Sequence, residues 1–197
     1  LAYSALKQHD KAIEHFQKAL SIQDERNLAP EDRIHNALAD AYLAKQDFDN
    51  AAEHIRKMME KKDKKEFKDL DKLGELYIEQ ADSAKEVGLK EQALKKADAV
   101  YEEMGRLLPN QASYSLFQRA SIGNRLDPTQ EKAIAKPFYE ELISKLADKA
   151  DRSKRENIML SSSYYYMMMY ALHQENNVDK SKEYAFKVLE LNPNNAQ

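Results

Sequence analysis

The chain has no cysteine and no tryptophan, only four glycines and five prolines among 197 residues, and a single threonine. Each shortage excludes something. Without cysteine there is no disulfide framework, no thiol nucleophile and no thiolate-bound zinc or iron–sulfur centre. So few glycines and prolines cannot supply the turns of a β-sandwich, barrel or propeller. Nine isoleucines, four valines and one threonine are also too few β-branched residues for a sheet protein. Charge of one sign is lacking as well: the net charge is −3, so no overall positive field draws nucleic acid. No apolar run approaches the ~20 residues needed to span a bilayer.

What is present is helix-forming material. Alanine, leucine, glutamate, lysine and arginine make up nearly half of the chain, the share of a protein built from long helices. One third of the residues are charged, with both signs interspersed as on solvated helix faces. The run Lys61-Lys62-Asp63-Lys64-Lys65 is broken by an acid and lacks stacking aromatics, so it reads as a solvated helix junction and not as a nucleic-acid site.

The chain repeats itself. Tyr3 and Tyr42 are 39 residues apart, as are Ala12 and Ala51. After each small residue a large apolar one follows four positions on, Phe16 and Ile55, and another apolar position three beyond, Ala19 and Met58. These spacings put two apolar helical faces in each unit, a helical hairpin. A third copy runs through Leu73-Gly74-Glu75-Leu76-Tyr77, Ala97, Tyr101, Met104 and Pro109. A fourth has Tyr114, Phe117, Ala135, Tyr139 and Leu142, and the last ends on Ser181, Ala185, Val188 and Pro193.

This pattern resembles the tetratricopeptide repeat, of bacterial type, in which Leu-Gly-xx-Tyr is followed by Ala-xxx-Phe-xx-Ala and a closing Pro. The resemblance implies an all-α fold: a right-handed superhelical array of about five antiparallel helix hairpins. Their expected bounds are 1–24, 31–62, 64–108, 110–149 and 153–192. Together they form a single domain over 1–197, read as a piece of a longer chain. Small residues such as Ala12, Ala51 and Ala97 would sit where paired helices approach. Phe16, Tyr101 and Tyr139 would fill the space between hairpins.

The unit-to-unit steps between Ala12, Ala51, Ala97, Ala135 and Ser181 are 39, 46, 38 and 46 residues, longer than the usual ~34. Asn27-Leu28-Ala29-Pro30 reads as a long connector. The third hairpin is expected to turn about Gly88, between helices 64–87 and 90–107. Asp127-Pro128-Thr129-Gln130 reads as a helix start, and Pro137 as a kink or break in the helix that follows.

No residue set supports catalysis. The five histidines (His9, His15, His35, His54 and His173) form no metal-ligand constellation and read as ordinary surface or groove residues. The glycines are isolated, so nothing cradles phosphate. Ser161-Ser162-Ser163 lacks a nucleophile context and reads as the start of a helix. No enzyme activity, cofactor or metal is expected. The run Tyr164–Tyr170 has two readings. Aligned to the repeat, Tyr165, Met168, Met169 and Leu172 would pack, leaving Tyr166, Tyr170 and His173 towards a Tyr-rich groove. Alternatively, every Tyr and Met of the run packs against neighbouring helices.

In the repeat family the first helices of successive hairpins line a concave face. By register that face would carry Arg33, Asn36, Asp40, Lys68, Asp71, Glu75, Ser115, Arg119, Tyr166, Tyr170 and His173 as candidate partner-binding residues. The charges are mixed. Asp40 and Glu75 argue against a chaperone-tail carboxylate clamp. The expectation is a non-catalytic scaffold binding a protein or peptide segment, with a ligand-sensing regulatory module or a self-associating structural array as alternatives. Neither nucleic-acid binding nor membrane insertion is expected. The final units look like those of bacterial repeat proteins, some of them exported, which leans the location towards the cell envelope.

Overall fold

A computed structural model describes residues 8–22, 30–62 and 64–191. Tyr3, Asn27–Ala29, Asp63 and Pro193 lie outside the described residues. Among those described there are nine α-helices and no strand: α1 (His9–Ser21), α2 (Glu31–Leu43), α3 (Phe48–Glu60), α4 (Phe67–Ser83), α5 (Val87–Leu107), α6 (Ala112–Leu126), α7 (Lys136–Leu146), α8 (Lys154–His173) and α9 (Val178–Leu191). A short 3-10 turn, Pro109–Gln111, precedes α6. The fold is the all-α helical repeat array implied by the sequence. It divides into two compact units, Leu1–Val100 and Tyr101–Gln197.

In the first unit α1 packs on α2, α2 on α3 and α3 on α4. The tight α2–α3 connection explains the close pairing of those two helices. Gln46 takes a left-handed φ of 59°, and Asp47 caps α3 by accepting from the Asn50 amide at 3.3 Å. Ala51 and Ala97 are fully buried and Ala12 nearly so, which lets helix backbones approach. Ile13, Ile34, Leu38 and Ala41 form an apolar cluster, with Phe16, Leu20 and Tyr42 packed against it.

In the second unit α6 packs on α7, α7 on α8 and α8 on α9. Gly123 permits the α6–α7 approach: a Cβ there would lie 3.0 Å from the Cα of Ala135. The core contains Ile122, Leu142, Leu146, Leu160 and Met167. α8 opens with a capping box. Ser153 Oγ accepts from the Glu156 amide at 3.2 Å, and Glu156 Oε2 accepts from the Ser153 amide at 2.8 Å. The Lys149 ammonium, then the Ser153 amide and hydroxyl donating to the Glu156 carboxylate, push the Glu156 carboxyl down to about 2.

Four local expectations are corrected. Gly88 is not the pivot of a hairpin; it is the second residue of α5, and the chain turns over Ala84–Glu86. No helix starts at Asp127-Pro128-Thr129-Gln130. Asp127 instead ends α6 and its carboxylate accepts from the Lys132 amide at 2.9 Å, holding the loop. Pro137 does not kink a helix, because it lies in the first turn of α7, where its missing N–H has no intrahelical bond to forfeit. Ser161–Ser163 likewise lie inside α8 and not at its start. There Ser163 Oγ donates to the Met159 carbonyl one turn back, at 2.7 Å.

Candidate partner-binding faces

The first unit gathers its candidates on α2 and α4. Arg33, Asn36 and Asp40 recur at three- and four-residue steps, so they share one face of α2. Across from them, Lys72 of α4 donates from Nζ to Asn36 Oδ1 at 2.8 Å and to Asp40 Oδ1 at 2.6 Å. Lys72 is a residue the sequence reading missed, and it changes the electrostatics: the Asp40 carboxylate is paired within the face. A cleft of about 410 Å³ adjoins this bridge, lined by Arg33, Asn36, Lys68 and Lys72 with Asp32, Met58, Lys62 and Asp69.

Asp69 at its base is buried and bonded to Lys62 Nζ at 2.5 Å. Lys68 at the mouth pairs with Glu66 at 3.0 Å. Arg33 is exposed. Asp71 and Glu75 lie further along α4 and do not line this cleft. Partial desolvation, then the neighbouring Asp71 charge, raises the Glu75 carboxyl.

Behind the same face is a pair that the sequence reading took for ordinary surface or groove histidines. His35 of α2 and His54 of α3 are buried, with their Nδ1 atoms 2.9 Å apart, so one ring donates and the other accepts. Tyr42 stacks on His54 at 5.5 Å between centroids, and Glu31 lies 3.6 Å from His35 Nε2. Burial lowers both imidazoles. Lys57 and the partner histidine lower His54 further, while Glu31 opposes the effect at His35.

A base whose folded pKa is depressed binds more protons when unfolded, so the stability it contributes is present above pH 6.5 and lost on acidification. The melting temperature is therefore expected to fall between pH 6.5 and 5 in a circular-dichroism series. The double variant His35→Leu, His54→Phe should flatten that part of the curve. An unchanged slope in the variant would contradict the assignment.

The second unit disperses its candidates. Ser115 is buried, donates to the Tyr101 carbonyl at 2.5 Å and sits where Gly105 leaves room for it, so it serves packing. Arg119 pairs with Glu102 at 3.1 Å and lies 4.6 Å over the Phe138 ring. Tyr166 is buried against Tyr139, with ring centroids 4.5 Å apart. Tyr170 is half-buried beneath the Lys136 ammonium, 4.4 Å from its ring centroid, and His173 is exposed.

The expected packing register of α8 is corrected accordingly: Tyr165 and Leu172 are exposed, while Tyr164, Tyr166, Met167 and Ala171 are buried. The reason is that α8 is covered on two sides. Tyr166 meets Tyr139 of α7, and Tyr164 meets Tyr184 of α9 at 6.1 Å.

Among the described residues no group of three His, Asp or Glu side chains is placed to hold a metal, and no helix is long and apolar enough to cross a membrane. The stacked helices, with small residues at their closest approaches, define a helical-repeat protein. The tetratricopeptide repeat family model matches residues 1–26, 32–60 and 162–195. The chain carries tetratricopeptide repeats in these three segments, and such repeats generally mediate protein–protein interaction. Neither the curated proteins nor the solved structures compared with the chain gave a match.

Proposed function

We propose that the chain is a non-catalytic interaction module that binds a segment of a partner protein on the α2–α4 face of its first unit. The observation that carries this reading is the Lys72 bridge. It ties Asn36 and Asp40 into one rigid polar edge, beside a cleft whose outer wall presents Arg33. Such an edge costs little entropy to engage, because its side chains are already held. Pairing with Lys72 lowers the repulsion that Asp40 would otherwise exert on a partner carboxylate or amide approaching Arg33. Asp71 and Glu75 along α4 would select for cationic or polar groups further on in the same segment. Arg119, Tyr170 and His173 are not required for this binding.

The test is capture from the native lysate with the intact chain and with the triple variant Arg33→Ala, Asn36→Ala, Lys68→Ala, whose helicity is checked by circular dichroism. The expected result is a partner held by the intact chain and lost by the folded variant. A partner retained in full by the variant would move the binding surface off this face.

A further inference from the structure

The second unit contains a cleft of a different character. It measures about 380 Å³, within the range of ligand sites, about 300–1,000 Å³. Asn124, Gln130, Ser161 and Ser162 supply polar lining, and Tyr139, Tyr165 and Met169 much of its apolar lining. No charged side chain among the described residues lines it, although one third of the chain is charged. Ile158 and Tyr165, about half exposed, also line it. Tyr166 lines it too, and its buried hydroxyl has no hydrogen-bond partner among the described residues.

A buried unpartnered hydroxyl is costly to a fold, so it marks a place where a further polar atom is wanted. A charged group entering a cleft with no counter-charge would shed its hydration uncompensated, whereas a neutral amide would not. We propose that this cleft binds an uncharged stretch of a partner polypeptide, seating one apolar side chain on Tyr139 and Met169 while a main-chain carbonyl accepts from the Tyr166 hydroxyl. Asn124, Gln130 and Ser162 then serve the remaining amide groups. This deepens the partner-binding reading, and it concerns a separate site in the other unit.

The experiment uses the full chain carrying 13C-methyl methionine. It is titrated with N-acetyl-leucine N-methylamide, and separately with the N-acetyl-leucine anion, while the Met169 methyl resonance is followed. The expected result is a saturable shift with the neutral amide and binding of the anion at least tenfold weaker. Tyr166→Phe should weaken the amide about five- to tenfold, the equivalent of one hydrogen bond, without loss of the folded spectrum. Ser162→Glu should abolish binding by placing a charge at the cleft.

No saturable shift at the highest soluble amide concentration would overturn the proposal, as would equal binding of the anion. Equal affinity in Tyr166→Phe would overturn the part given to the hydroxyl. The Arg33, Asn36 and Lys68 triple variant should leave the Met169 titration intact, so the two binding proposals fail separately.

Discussion

Tyr101→Ala is expected to lower stability by about 3–5 kcal/mol, the cost of deleting a fully buried aromatic ring. Tyr101 has no exposed surface. Its ring meets Tyr114 edge-on at 6.2 Å, and its hydroxyl lies 3.5 Å from the Gln118 amide nitrogen. Its own carbonyl accepts from Ser115, so the backbone around the vacated space is pinned and collapse into the cavity is limited. Tyr101→Phe keeps the ring and loses only the hydroxyl contact, at a cost of about 1 kcal/mol or less. Urea titrations of the three proteins give the comparison through their midpoints at constant slope. A loss below 1 kcal/mol for Tyr101→Ala would mean that the ring is not part of a tight core.

Leu38→Ala is the second large effect, about 2–5 kcal/mol by the usual cost of such truncations. Leu38 is completely buried, among Ile13, Ile34 and Ala41. Phe16, Leu20 and Tyr42 pack against that cluster while only partly buried, so they can shift inwards, and the loss should fall in the lower half of the range. The same urea series measures it. A midpoint equal to that of the unaltered protein would show that α1 and α2 do not share a core.

The repeat was legible because its marks are steric. Ala12, Ala51, Ala97, Ala135 and Ser181 take the same place in the repeat pattern, and all five are buried. Tyr101 and Tyr139, assigned to fill space between hairpins, are buried as well. Local punctuation was less legible because one residue can serve two ends. Asp127 suits an N-cap by type, yet here it closes α6, and Pro137 suits a first turn as well as it breaks an interior.

The rotation of α8 could not be read. Tyrosine, methionine and serine occupy nearly every position of its middle, and a helix covered on two sides shows no single apolar stripe. On the candidate face, the α2 residues were found by register. Their partner Lys72 was missed because its bonds to Asn36 and Asp40 join residues of different helices, and sequence carries no distance between them. The His35–His54 pair was invisible for the same reason, its rings lying 19 positions apart in the chain. A signal did exist for it: both positions fall on buried faces of their helices, beside Ile34 and Ile55.

A partner held on the α2–α4 face of the first unit, as proposed, would shield the backbone beneath it. Hydrogen–deuterium exchange of the full chain, alone and with its captured partner, is the decisive measurement. The expected result is added protection over Arg33–Asp40 and Lys68–Glu75, the amides beneath the Lys72 bridge. Protection confined to other helices, with these two segments unchanged, would contradict it.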